Sequence, residues 1–242
     1  MRLLIDAGNT RIKWAIASND VDAVFMSGVV GGDWSEINRF EGKIETAWVS
    51  CVASEVVLDG ICLNIKRVFG IEANVVGVSS CAAGMTNGYD DLSQLGVDRW
   101  VAALGARALI AEGALIVIDA GTAVTIDMVS AGNCFEGGVI LPGFATMHDS
   151  LLGRTAGIQS DRLEVASVIG KNTRECVNAG VEYGLIGAVD RIIGEMCRER
   201  SGVNPRLLVM GGDANAIVAG SKFKVELQSD MIFYGLMLLS KK

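Results

Sequence analysis

Leu3-Leu4-Ile5-Asp6-Ala7-Gly8-Asn9-Thr10 stands at the start of the chain, and Leu115-Ile116-Val117-Ile118-Asp119-Ala120-Gly121-Thr122 repeats its pattern. Each is a short apolar run, then Asp-Ala-Gly, then hydroxyl or amide residues, then a second apolar run (Ile12 to Ile16; Val124 to Met128). The pattern reads as strand, tight turn, strand. Glycine lets the turn's backbone come close to a ligand. The carboxylate ends the first strand, and the amide and hydroxyl groups offer a phosphate its donors. A single Asp-Gly turn is equally the mark of a plain hairpin. Two copies, with aspartates at 6 and 119, instead indicate a duplicated α/β fold, its two phosphate-facing hairpins looking at each other across a cleft. The repeat divides the chain into lobes at 1–114 and 115–242.

With 242 residues, half of them apolar, the chain can bury a large core. A net charge of −7 with scattered Lys and Arg argues against a nucleic-acid footprint, so anion binding must come from backbone amides, a few basic residues and a metal ion. The six cysteines form no CxxC pair and read as reduced, mostly buried thiols of a cytoplasmic protein. His148 is the single histidine, which excludes a multi-histidine metal site, and no Gly-x-Ser-x-Gly elbow accompanies it. The most apolar stretch, Trp100 to Met128, is broken by Arg107, Glu112, Asp119 and Asp127, so no membrane span is expected.

Along the chain, Ala23 to Ser27 and Glu45 to Ser50 have strand length, Ser54 to Phe69 has helical period, and Ile71 to Val78 reads as another strand. Residues 80–97 form a polar, glycine-bearing stretch without a predicted element. Asp98 to Glu112 is helical, with Gly113 as its C-cap. Phe135 to Leu141 is a third strand after the second hairpin, Pro142-Gly143 closes it, and Phe144 to Leu152 begins a helix that contains His148. Residues 153–170, around Arg154-Thr155-Ala156-Gly157, read as a mobile loop. Asn172 and Glu175 have capping-box spacing at the head of a long helix to Arg198. On that helix Cys176, Gly180, Gly184 and Ala188 form a stripe of small residues, suited to close packing within the chain or across a dimer. Arg206 to Met210 enters Gly211-Gly212-Asp213-Ala214 as a strand, and a helix from about Asp230 to Ser240 closes the chain.

Two aspartate-bearing hairpins and a late Gly-Gly-Asp-Ala turn resemble the actin-like ATPase and sugar-kinase superfamily, whose ribonuclease H-like lobes hold a nucleotide between them. The more specific resemblance is to the type III pantothenate kinases. It rests on Asp6-Ala-Gly-Asn-Thr-Arg-Ile-Lys13, Gly96-Val-Asp-Arg99, Asp119-Ala-Gly-Thr122, Gly137-Gly-Val-Ile-Leu-Pro-Gly143 and Gly211-Gly-Asp213. These motifs stand in the family's order and cover nearly the whole chain. The resemblance implies ATP-dependent phosphorylation of pantothenate to 4'-phosphopantothenate, the first step of coenzyme A biosynthesis, by a homodimer using Mg2+ and K+ or another monovalent cation.

Residue by residue, the resemblance implies that Asp6, Ala7, Gly8, Asn9, Thr10, Arg11, Ile12 and Lys13 bind the ATP phosphates, with Asp6 also holding magnesium. A carboxylate suits a hard cation that keeps several waters. Lys13, between Ile12 and Trp14, reads otherwise as a solvated strand residue. Asp98 is implied as the base that takes the proton of the attacking hydroxyl, and by itself reads as a helix N-cap. Phosphoryl transfer needs its base mainly to orient the hydroxyl and accept the proton late, so both roles are compatible. Tyr89, Gly96, Val97, Asp98, Arg99 and Thr173 are implied to bind pantothenate. Arg99 suits the substrate's carboxylate or orders the Asp98 loop, and Thr173 contacts substrate or caps its helix. Asp119 is implied to hold the monovalent cation, and Thr122 is a further phosphate contact. His148 is expected to be structural. Two other readings remain: a different small-molecule kinase on this fold, and a nucleotide-bound accessory or regulatory protein without kinase activity. The presence together of Asp6, Asp98, Arg99 and Asp119 speaks against the latter.

Overall fold

A computed structural model describes residues 1–19, 23–30, 34–155, 161, 164–200 and 203–241. Two compact units are present. One comprises Met1–Gly113, Val129–Glu136 and Asp230–Lys242, the other Ala114–Met128 and Gly137–Ser229.

The first unit starts with β1 (Arg2–Ala7), β2 (Ile12–Ala17) and β3 (Val24–Val29), then a short α1 (Ser35–Asn38), β4 (Thr46–Cys51), α2 (Glu55–Phe69) and β5 (Ala73–Val75). They build a five-stranded sheet in the order β3-β2-β1-β4-β5. β2 runs antiparallel to β1 and β3, while β4 is parallel to β1 and β5. Alternation along these strands sorts the two faces. Leu3, Ile5, Ala7, Trp14, Ile16, Ala47 and Val49 turn to one side and join Ile61 and Ile65 of α2 in a core. Leu4, Asp6, Lys13 and Ser50 belong to the other face. The strand expected over 71–78 shortens to β5.

Residues 80–97 are more ordered than their polarity predicts. They hold β6 (Cys81–Ala82), β7 (Met85–Asn87) and a single 3-10 turn at Leu92–Gln94, ahead of α3 (Val97–Leu109). Ile110, not Gly113, caps α3, its N–H reaching the Ala106 carbonyl. Gly113 has φ +83° in the connection that follows.

The second unit contains β8 (Leu115–Ala120), β9 (Ala123–Val129) as far as Met128, β10 (Cys134–Pro142) from Gly137 onward, α4 (Phe144–Arg154), α5 (Thr173–Glu199), β11 (Arg206–Met210), α6 (Ala214–Gly220) and β12 (Val225–Leu227); the start of β10 belongs to the first unit. Its strands lie in the order β12-β11-β8-β9-β10. Counted from each hairpin, this is the first unit's order: third, second, first, fourth, fifth. The duplication seen in the sequence is therefore a duplication of topology. Ile116, Ile118, Val124 and Ile126 of the sheet pack with Phe144, Leu185, Val189 and Ile193 of the helices. Asn172 caps α5 as its spacing predicts: its side chain accepts from Glu175 N at 3.0 Å, while Glu175 accepts from Lys171 N at 2.8 Å. Within the expected 153–170 loop, α4 runs on to Arg154; Ala156, Gly157 and residues 158–160, 162 and 163 lie outside the described residues.

The last helix, α7 (Met231–Leu239), belongs to the first unit. It is apolar nearly all round, and Met231, Ile232, Phe233, Leu236 and Met237 are buried. α3 and α7 cross with their backbones in contact. A Cβ on Gly105 would collide with the Met231 carbonyl, and one on Gly235 with that of Val101. Behind α7 the buried Arg2 donates to the Ser18 carbonyl at 2.9 Å and to Ser240 Oγ at 2.8 Å. Alanine is intrinsically better than glycine inside a helix by about 1 kcal/mol. At Gly105 the backbone clash outweighs that gain, so Gly105→Ala should destabilise the protein by about 1–3 kcal/mol, read as a lower urea midpoint at unchanged m-value.

Candidate active site

In the first unit the β1–β2 turn spans Gly8 to Arg11 and is closed by Gly8 N–H to the Arg11 carbonyl at 3.0 Å. Asn9, Thr10 and Arg11 are exposed, while Gly8, Ile12 and Lys13 are half-buried and Ala7 is buried. Asp6 ends β1 almost fully buried, and its Oδ2 lies 3.9 Å from Lys13 Nζ, its cross-strand partner. Lys13 is thus a partner of the carboxylate, not a solvated strand residue.

Gly96 is the N-cap of α3, and Asp98 lies in the first turn. The Asp98 side chain folds back over Gly96, where a Cβ would stand 2.5 Å from Oδ1, and that oxygen accepts from Arg99 N at 2.8 Å. Glycine at 96 leaves the room for this half-exposed carboxylate. Val97 begins the helix and is half-buried. Arg99 points inward and is 7% exposed. It donates to the Tyr89 hydroxyl at 2.8 Å, and its guanidinium carbon lies 5.7 Å from the Tyr89 ring centre and 6.0 Å from that of Phe135. Phe135 also meets Tyr89 at 5.9 Å and Trp100 edge-on at 6.0 Å. The loop that carries Tyr89 is tied down by Gly88 N–H to the Phe135 carbonyl at 2.8 Å, where a Cβ on Gly88 would stand 2.9 Å from that oxygen. In the sequence Phe135 stands out only as the start of a strand. Its role shows once Cys134 and Phe135 of β10 are seen to pair with Thr86 and Asn87 of β7, a pairing between segments far apart in sequence.

In the second unit the turn at Asp119 is tighter. Gly121 and Thr122 alone join β8 to β9. The exposed Thr122 offers its carbonyl to Gly143 N at 2.9 Å and to Thr146 Oγ1 at 2.6 Å, so the head of α4 clasps this turn. Asp119 is half-buried opposite Met210, and the Gly211 turn folds over it. Gly211 has φ +101°, and a Cβ there would sit 2.6 Å from Asp119 Oδ1. Thr173 stands apart from this turn along the chain. It is the exposed first residue of α5 and lines an open depression of about 520 Å³ with Leu151, Lys171 and Val177. Asn172 does the capping, so the Thr173 hydroxyl takes no part in it. His148 is buried in α4 with Nδ1 3.3 Å from Asp149 Oδ1.

Among the described residues no three His, Cys, Asp or Glu groups cluster as a metal cage, and no helix is long and apolar enough to cross a membrane. A site with one carboxylate fits Mg2+, which keeps its waters and binds chiefly to substrate phosphates. All six cysteines are free thiols. None is fully buried, contrary to expectation; Cys81 and Cys176 are exposed, and burial pushes the half-buried Cys62 and Cys197 thiols up.

The family model described as type III pantothenate kinase matches residues 2–195. A Pseudomonas fluorescens (strain Pf0-1) protein named type III pantothenate kinase is 34% identical, over 98% of both chains. Among solved structures, a Campylobacter jejuni protein assigned to the Baf family of transcriptional activators superposes with a TM-score of 0.59 at 22% identity, covering 97% of this chain and 95% of that one. A Sinorhizobium meliloti protein described as a 2-dehydro-3-deoxygalactonokinase superposes with a TM-score of 0.55 at 13% identity, covering 98% and 97%. The fold is that of the actin-like ATPases and sugar kinases.

The glycines of the site fall into two classes. Gly211→Ala meets both a left-handed φ and a filled space, and should cost about 1–3 kcal/mol of stability. At Gly8 a Cβ would meet nothing nearer than the Arg11 carbonyl at 3.4 Å, an ordinary contact. Gly8→Ala should therefore stay within about 0.5 kcal/mol of the wild type, with both variants compared by urea denaturation.

Proposed function

This chain belongs to the type III pantothenate kinase family, and we propose that its Asp98 takes the proton of the pantothenate hydroxyl as that oxygen attacks the γ-phosphate of ATP. The overall reaction is the family's: phosphorylation of pantothenate, a step of coenzyme A biosynthesis. One observation carries the assignment of roles. At the head of α3, consecutive residues divide the work, Asp98 held at the helix surface by the Arg99 N–H and Arg99 turned inward to Tyr89.

In this reading the Asp98 oxygen not held by the Arg99 N–H orients the hydroxyl and receives its proton. Phosphoryl transfer has a loose transition state, so this late transfer suffices. The Arg99 guanidinium, with Tyr89 against it, takes the pantothenate carboxylate; Gly96 and Val97 shape the approach, and Thr173 adds a hydroxyl contact. Asp6 to Lys13 and Thr122 hold the phosphates, the exposed N–H groups of the first turn and Lys13 supplying positive charge. Asp6 would hold Mg2+, whose charge offsets that of the phosphates. Asp119, under Gly211, would hold K+ or a similar monovalent cation, for which a carboxylate oxygen is a suitable ligand. The small stripe of α5 supports a homodimer: Cys176, Gly180 and Gly184 are exposed, and nothing stands within 4 Å of a Cβ on Gly180. Free thiols and soluble substrates suit a cytoplasmic enzyme.

A coupled ADP-release assay with Mg2+ and K+ should show turnover stimulated by pantothenate; stimulation by another small alcohol alone would reassign the substrate. Asp98→Asn should lower kcat by about 10²–10⁴-fold with ATP still bound, and unaltered turnover would remove Asp98 from its role. Light scattering should give twice the monomer mass.

A further inference from the structure

Ser50 is the residue opposite Asp6. β1 and β4 pair in parallel with these two in register, so both side chains lie on one face of the sheet. Lys13 is opposite Asp6 on the other side, giving a row Lys13, Asp6, Ser50 across three adjacent strands. α3 and α7 cover this face, and α3 brings Asp98 with it.

Ser50 is 0% exposed, and its hydroxyl has no hydrogen-bond partner among the described residues. A buried hydroxyl in that state is disfavoured, and an apolar side chain of similar size would serve packing better. The duplicated topology supplies the comparison. The residue opposite Asp119 in the second unit is Met210, itself 1% exposed. The fold thus accepts an apolar side chain beside its strand-end aspartate. Serine at 50 is not demanded by the architecture.

We infer that Ser50 is a positioning residue for Asp6. When Mg2+ and nucleotide phosphates are bound, its hydroxyl donates to the Asp6 carboxylate and holds that group in the orientation that receives the hydrated cation. Adjacent strands are about 4.8 Å apart, so one rotation about χ1 brings the hydroxyl to its neighbour. Partners behind a metal-binding carboxylate commonly fix its direction and basicity. This inference rests on the assignment of Asp6 to magnesium made above.

Ser50→Ala, Ser50→Cys and Asp6→Asn test it, with calorimetric binding of Mg2+·ADP and thermal melting of the unliganded protein. Ser50→Ala should melt at or above the wild-type temperature, because it removes an unpaired buried hydroxyl. Both Ser50 variants should bind Mg2+·ADP about tenfold more weakly, while metal-free ADP binds as to the wild type. Wild-type Mg2+·ADP affinity in both Ser50 variants, with weakened binding by Asp6→Asn, overturns the inference and leaves the Asp6 assignment standing. Undiminished binding by Asp6→Asn overturns that assignment, and the inference with it. A lower melting temperature for Ser50→Ala also overturns it, since the hydroxyl would then be paired in the resting protein.

Discussion

The contact of α3 with α7 is the constraint on which the first unit depends. Gly105 and Gly235 remove the side chains that would hold the helices apart, and the two backbones meet. A glycine in a helix costs backbone entropy, and two at one crossing show that separation is what this fold avoids. α3 is thereby fixed against β4, while α7 packs on β1 and β4. Its first turn carries the carboxylate and the guanidinium assigned to the acceptor substrate. A shift of the helix would move Asp98 and Arg99 together.

The two hairpins share a pattern and differ in build. Four residues, Gly8 to Arg11, form the first turn, and Asn9, Thr10 and Arg11 are exposed on it. The second is a two-residue turn clasped by Gly143 and Thr146 through the Thr122 carbonyl. Duplication supplied one scaffold twice, and the sequence at each tip has since specialised.

Much of this was legible in the chain. Asp-Ala-Gly after an apolar run located both hairpins, because strand period and turn chemistry are local signals. The cap at Asn172 and Glu175 was legible for the same reason. The partners of Arg99 were not, since Phe135 meets it only through a pairing of β10 with β7 across distant sequence. Glycine was read at the hairpin tips as room for a ligand. The structure shows where the chain itself requires it, at Gly105, Gly143 and Gly211, positions that no local pattern separates from the other glycines. Ser50 passed as one residue of a strand; its isolation as a buried hydroxyl needs the sheet and its covering helices to be assembled.

The closing helix also sets an order of events during synthesis. The second unit has all of its residues once Ser229 has left the ribosome, although it begins after most of the first. The first unit waits for residues 230–241 to cover α3 and engage Arg2 through Ser240. Until then the apolar face of α3, with Val101, Leu104 and the bare backbone at Gly105, has no lid. The unit whose strands are made before the other's is completed after it, and a nascent chain stalled before residue 230 presents that face to chaperones and proteases.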